Sequence, residues 1–251
     1  METPTKRTIA DETTKQIPPA NSVNQRRVWT LRIGTYLLGL FILALAVSIS
    51  VRSNLGVSPV SSVPFVFSQI FHIEFGNMTI IEFSAYVLIQ WIILRKDFRW
   101  VQLLQIVCAM IFGKFVSLTS TLVSWWNPGS YIEQLGMIAL ATVLIGIGIK
   151  LYLLADLVPQ AADGLVQVIS KRRGWKLANV KNVFDICSIT LAASVSLLVT
   201  GKIIGLREGT VIMALGVGRV LALINWLDRD RLYRVVYGTS KQPDQAPRLA
   251  G

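Results

Sequence analysis

The chain is 251 residues long, 53% hydrophobic, and has a mean hydropathy of +0.55. That is more apolar surface than a soluble domain of this size needs, and several stretches approach the roughly 20 residues that cross about 30 Å of hydrocarbon, so a soluble globular protein is excluded. The formal net charge is +11, but the cations cluster just outside the apolar stretches, where topology determinants sit, so nucleic acid is not expected as a partner.

Residues 1–28 read as a disordered cytoplasmic tail. The first 25 are polar and Pro-containing, with no apolar core ahead of a small-residue cleavage site, so no cleavable leader is expected. A first span follows at about Trp29–Val51. The next stretch, Asn54 to Phe75, is too apolar for an ordinary external loop. It contains Ser58-Pro59-Val60-Ser61-Ser62-Val63-Pro64. Proline suits the first turn of a helix and breaks its interior, and Ser61 or Ser62 is placed to satisfy free backbone N–H groups. We read a short half-helix there, over Val60–Phe71. Spans two, three and four are expected at about Thr79–Leu94, Val101–Ser124 and Tyr131–Leu154. A second half-helix, Gln160–Ser170, follows Pro159 and ends at Lys171-Arg172-Arg173, cations that suit a helix C-terminus. Spans five and six are expected at about Val180–Thr200 and Gly209–Trp226. Residues 227–251 form a cytoplasmic C-terminal tail, disordered from Gly238.

Lys and Arg set the orientation. Arg26 and Arg27, then Arg95, Lys96 and Arg99, then Lys171, Arg172, Arg173, Lys176 and Lys181, and finally Arg229, Arg231 and Arg234 fall on one side. Only Arg52, Lys202 and Arg207 fall on the other. Both termini are therefore expected in the cytoplasm. Trp29, Trp91, Trp100, Trp125, Trp126 and Trp226 lie at or near span ends, as amphipathic rings at the headgroup level do.

The landmarks recur. Pro59 and Pro159 are 100 residues apart, Glu82 and Asp185 103, and Lys114 and Arg219 105. Ser58–Pro64 follows the first span and Val158–Gly164 the fourth. Residues 29–124 and 131–226 then read as two three-span repeats left by an internal duplication. Three spans is an odd number, so the halves would be inverted copies about a pseudo-two-fold axis in the membrane plane. The fold class expected is an all-α polytopic membrane protein of six spans, each half carrying a Pro-interrupted short helix. Those helices are either re-entrant, with N-termini meeting near mid-membrane, or amphipathic and lying along opposite leaflets.

Lys114 and Arg219 each fall about halfway along a span, each preceded by a glycine, Gly113 and Gly218, which permits close helix approach. A central cation costs roughly 2.5–3.5 kcal/mol on insertion scales and persists when it faces a cavity or a counter-ion. One reading pairs Lys114 with Arg219 as the binding site for a small anion, which Arg can grip bidentately. Ser61, Ser62, Pro159, Asp163 and Gly164 join it from the half-helices. Asp185 serves as counter-ion or proton carrier, with Arg207 and Glu208 at the turn before span six. The other reading is a set of structural ion pairs, such as Arg219 with Asp185, that lock helix register. Glu82 and Lys150 read as interfacial or snorkelling. Cys108 and Cys187 read as buried thiols, and His72 as interfacial.

Pro159-Gln160-Ala161-Ala162-Asp163-Gly164, Val180-Lys181 followed by Asp185, and Gly205-Leu206-Arg207-Glu208-Gly209-Thr210 with Gly218 resemble the YczE/YitT-like bacterial membrane proteins over about residues 30–226. The resemblance implies a small multispan protein of the bacterial inner membrane and no particular chemistry. Lys114 is a departure from what some relatives are expected to carry there.

No enzyme constellation is present. There is one His and no metal-ligand spacing, Gly113-Lys114 lacks the rest of a P-loop, and Gly216-Val217-Gly218 is too short for a dinucleotide fingerprint. No cofactor is expected. The chain reads as a transporter or exporter of a small polar, anionic solute, working by rocking one half against the other in the lipid bilayer and compatible with a homo-oligomer. A non-transporting membrane accessory or scaffold protein is the alternative, and a channel a third option.

Overall fold

The computed structural model describes residues 25–228 and 231–237. The bulk of the expected tails, 1–24 and 238–251, and Arg229 lie outside the described residues. The helices in chain order are α1 (Gln25–Arg52), α2 (Pro59–Phe71), α3 (Phe75–Leu94), α4 (Leu104–Leu122), α5 (Tyr131–Ala155), α6 (Ala161–Arg173), α7 (Leu177–Thr200), α8 (Glu208–Asp228) and α9 (Arg231–Tyr237). Two single 3-10 turns, Arg95–Asp97 and Trp100–Leu103, join α3 to α4. Six of these helices, α1, α3, α4, α5, α7 and α8, are long and apolar enough to cross a bilayer. The protein is an all-α, multi-pass membrane protein.

The central pair is α1 and α5. They cross at Gly39 and Gly148, where a Cβ on Gly39 would stand 2.7 Å from the Tyr152 backbone nitrogen and 3.0 Å from the Gly148 carbonyl. Small residues are what allow two backbones to close in where lipid supplies no hydrophobic driving force. Helix α4 packs on the far side of α1 and α8 on the far side of α5, giving a row α4–α1–α5–α8. Helix α3 packs on α4 at a second glycine crossing, where a Cβ on Gly76 would lie 2.3 Å from the Gly113 carbonyl oxygen. The stacked rings of Phe83 and Phe112, 5.7 Å apart, continue that contact inward.

Gly113 thus plays the close-packing role expected of it, whereas Gly218 does not. Nothing lies within 4 Å of a Cβ built at Gly218. The α5–α8 contact is made one face away, where Gly146 meets Val220 and Gly216 meets Thr142.

Both short helices lie against the same two spans, α3 and α7. Helix α2 sits at one end, its Phe65 ring edge-on to Phe75 at 5.7 Å and lying against Gly205. Helix α6 sits at the other end, beside Gln90 of α3 and Lys181 of α7. The principal pairings correspond across the halves: α1 on α4 with α5 on α8, α2 on α7 with α6 on α3, α2 on α3 with α6 on α7, and α2 on α8 with α6 on α4. One pairing has no counterpart, because α3 and α4 pack extensively and α7 and α8 do not.

Neither short helix has the exposed stripe of a helix lying on a membrane surface. From Pro59 to Ser68 and from Ala161 to Ser170 no residue is exposed. The serines of α2 do not cap it, contrary to expectation. Ser62 donates its hydroxyl to the Pro59 carbonyl at 2.6 Å, and Ser58 donates to Ser61 at 3.0 Å. The proline at the first turn leaves one N–H fewer to satisfy, and Ser62 turns to a carbonyl while Ser58 turns to another hydroxyl.

The C-terminus of α5 is capped from elsewhere in the chain. Arg32 of α1 donates Nε to the Ala155 carbonyl at 2.9 Å and Nη2 to that of Asp156. The guanidinium lies over the Trp29 and Tyr237 rings at 4.8 and 5.6 Å. Tyr237 of α9 donates to the Leu154 and Ala155 carbonyls at 3.1 and 3.3 Å. Burial pushes the Tyr237 phenol above its ordinary range. Residues expected as tail therefore close a helix end whose last carbonyls have no intrahelical partner. Arg32→Met keeps the stem and removes both donors. It is expected to lower stability by about 1–2 kcal/mol, read as an unfolding midpoint in detergent against the unaltered chain.

Candidate functional site

Helix α6 slants into the bundle. At its C-terminal end Arg172 faces Asp97 at 3.5 Å. Its first residue, Ala161, accepts from Gln90 Nε2 at 3.1 Å. Gln90 lies inside α3 and Asp97 in the turn after it, so the α6 N-terminus lies deeper in the bundle than its C-terminus. Gln90 also donates to Gln105 of α4 at 2.8 Å, and both amides press on Gly164, where a Cβ would stand 2.8 Å from Gln105 Nε2. Only glycine lets α6 approach that amide pair so closely.

At this buried N-terminus the charged groups meet. Asp163 accepts from the Tyr152 hydroxyl of α5 through Oδ2, and its Oδ1 lies 3.5 Å from Lys181 Nζ of α7. One turn along α7, Asp185 Oδ1 lies 3.4 Å from the same ammonium. Lys181 thus bridges two carboxylates from two elements. The side chains are 34% exposed for Lys181, 27% for Asp163 and 24% for Asp185, so the cluster is enclosed but not sealed.

A second acid stands nearby on α3. Tyr86 donates to Glu82 Oε1 at 2.6 Å. Its ring packs edge-on against Phe184 of α7 at 5.4 Å. Tyr86 therefore links the acid of α3 to α7. Three polar atoms around this region, Glu82 Oε2, Gln90 Oε1 and Gln160 Nε2, are buried with no hydrogen-bond partner among the described residues. Buried polar groups are normally paired, so unpaired ones concentrated beside a charged cluster mark a place able to receive polar groups from outside the chain.

Of the residues singled out from the sequence, Asp163, Gly164 and Asp185 come together, with Pro159 in the turn leading into α6. Lys114 and Arg219 do not. Lys114 is exposed and lies 3.4 Å from Asn77 of α3. Arg219 is exposed on α8. Helices α4 and α8 stand at opposite ends of the α4–α1–α5–α8 row, so the cations form no pair, and Asp185 pairs with Lys181 instead of Arg219. Ser61 and Ser62 sit on α2 at the other end of the α3–α7 slot. Arg207 and Glu208 form an exposed pair at 3.2 Å, and Arg207 also donates to the Asn54 carbonyl at 3.1 Å. The neighbouring Gly209 packs on Ile138, fourteen residues or about 20 Å along α5 from Tyr152. That pair staples the 53–58 linker and does not reach the cluster.

Two other expectations are corrected, those for Glu82 and Cys187. Glu82 is 8% exposed, not interfacial. Lys150 is held by Asp228 at 3.1 Å and Asn225 at 2.8 Å, joining the ends of α5 and α8. Cys187 is exposed on α7 and Cys108 is half-buried. Lys181 entered the sequence reading only as an orientation cation and in the resemblance, not as a site residue, and Tyr152 and Tyr86 not at all. The signal for Lys181 was its spacing, four residues before Asp185 on one helix face.

No solved structure matches the chain. Among curated proteins it is 28% identical over 192 residues to the uncharacterized membrane protein YczE of Bacillus subtilis (strain 168), covering 76% of this chain and 84% of that one. A family model described as a family of unknown function, DUF6198, matches residues 30–226. That range holds all six long helices nearly entire, both short ones and every member of the cluster, and the chain belongs to this family.

Proposed function

We propose that the protein is a transporter of a small polar solute in the bacterial inner membrane, with the Asp163–Lys181–Asp185 cluster as its binding centre. The observation that carries this reading is the meeting of α6 and α7 through a charged, partly open cluster inside a bundle of membrane-length helices. Ionisable groups in such places are expensive and face a cavity, a pathway or one another. Three carboxylates in this region, Asp163, Asp185 and Glu82, stand against one ammonium, Lys181. The acidic excess favours a cationic or amine-bearing solute, or protons as the coupling ion, over the anion that Lys114 and Arg219 suggested. The matched helix pairings support two inverted repeats and a rocking mechanism between them. The bias of Lys and Arg to one side supports cytoplasmic termini.

Proteoliposomes of the purified protein are expected to show saturable flux of an amine-bearing solute found by thermal-shift screening. Asp163→Asn should abolish that flux while the helical circular dichroism is retained. A cysteine in place of Ala162, which is 1% exposed, is expected to react with an aqueous thiol reagent at a rate that the solute changes, on a background with Cys108 and Cys187 replaced by Ala. Flux that survives Asp163→Asn would reject the assigned centre. Absence of saturable flux for every charged solute tried, with a stable co-purifying protein, would favour the accessory-protein reading.

A further inference from the structure

Two charged runs that lie about 75 residues apart in the sequence share one end of the bundle. The turn after α3 carries Arg95, Lys96, Asp97 and Arg99, and the end of α6 with the turn after it carries Lys171, Arg172, Arg173 and Lys176. They are brought together where α6 packs on α3 and Arg172 faces Asp97 at 3.5 Å. Every one of these side chains is exposed. Seven cations stand against one carboxylate. The carboxylate is already engaged by Arg172, so the excess has no counter-charge within the two turns. Trp100 and Trp175, 83% and 57% exposed, flank the runs. Exposed indoles beside a helix end fix the height of the headgroup layer, so the cations stand at the depth of lipid phosphates. Gly174, at φ +68°, ends α6 and turns the chain so that Trp175 and Lys176 follow directly.

We propose that these two turns form a binding surface for the phosphate headgroups of anionic phospholipids. Guanidinium groups match phosphate oxygens bidentately, and clustered Lys and Arg at a bilayer surface select anionic over zwitterionic lipid. The surface is built from the packing of α6 against α3. It therefore requires the folded bundle, and it does not depend on the transport reading.

Native mass spectrometry of the full chain, released from nanodiscs containing equal phosphatidylglycerol and phosphatidylcholine, tests this. The unaltered protein is expected to retain phosphatidylglycerol preferentially. Arg99→Gln with Arg173→Gln should cut that preference by about tenfold, and Lys171→Gln with Lys176→Gln by a comparable factor. Both pairs are exposed side chains, so an unchanged unfolding midpoint will show that the bundle is intact. Equal retention of the two lipids by the unaltered protein, or a preference that neither double variant reduces, overturns the proposal. Millimolar inorganic phosphate that strips the retained lipid completely would reassign the surface to free phosphate and also overturn it.

Discussion

Lys181→Met is expected to destabilise the protein by about 2–3 kcal/mol, measured as denaturant-induced unfolding in detergent. The substitution keeps the apolar stem and removes the charge that stands between Asp163 and Asp185, at 3.5 and 3.4 Å. Breaking a buried ion pair from one side costs about 3–5 kcal/mol, because an uncompensated charge remains. About a third of the Lys181 side chain is open, and solvent screening lowers the figure. The sharper test is the triple change Lys181→Met, Asp163→Asn, Asp185→Asn. Removing all three charges takes away the repulsion with the attraction, so most of the loss should be recovered, giving a non-additive cycle. Additive losses would mean that the three residues act separately and that no cluster exists. Flux, by contrast, should stay lost in the triple variant. Stability that recovers without activity separates a binding centre from a mere lock on helix register.

Gly76→Ala should destabilise by about 1–3 kcal/mol, the usual cost of overpacking, by the same measurement. The new methyl would sit 2.3 Å from both the Gly113 carbonyl oxygen and the Ser117 hydroxyl. The carbonyl belongs to a helix backbone and cannot swing aside, so α3 and α4 must separate. Gly218→Ala is the matched control. It lies mid-helix with nothing within 4 Å, and alanine's better helix propensity is expected to leave stability unchanged or raise it by up to about 1 kcal/mol. A reversed ranking of the two would mean that the glycine crossing is not where α3 and α4 touch.

The six long helices were legible because span length and hydropathy are one-dimensional properties, and the expected boundaries fall within a few residues of Phe75, Tyr131 and Thr200. The short helices were legible because Pro59 and Pro159 punctuate apolar sequence. What remained hidden was azimuth. Lys114 and Arg219 occupy corresponding positions along corresponding spans, but depth does not say which way a side chain points, and packing turned both outward. Lys181 was hidden for a different reason. It follows a run of cations that mark the cytoplasmic side, so it was counted among topology charges, although its four-residue spacing from Asp185 sets it apart. Glu82 looked interfacial from its nearness to the start of a span. Its burial, and the hydrogen bond it accepts from Tyr86, come from packing that linear position does not show.

The one unmatched pairing has a mechanical meaning. Helix α3 cannot slide on α4 without parting two backbones in contact at Gly76 and Gly113, so those two helices travel as a single rigid leaf. Helix α7, which carries Lys181 and Asp185, has little such tie to α8. It can tilt or translate past that neighbour while losing little packing, and any displacement of α7 carries its two charges toward or away from Asp163. The edge of the bundle without that tie, where α2 and α6 hold α7 in place of α8, is the edge on which Lys181 and Asp185 ride.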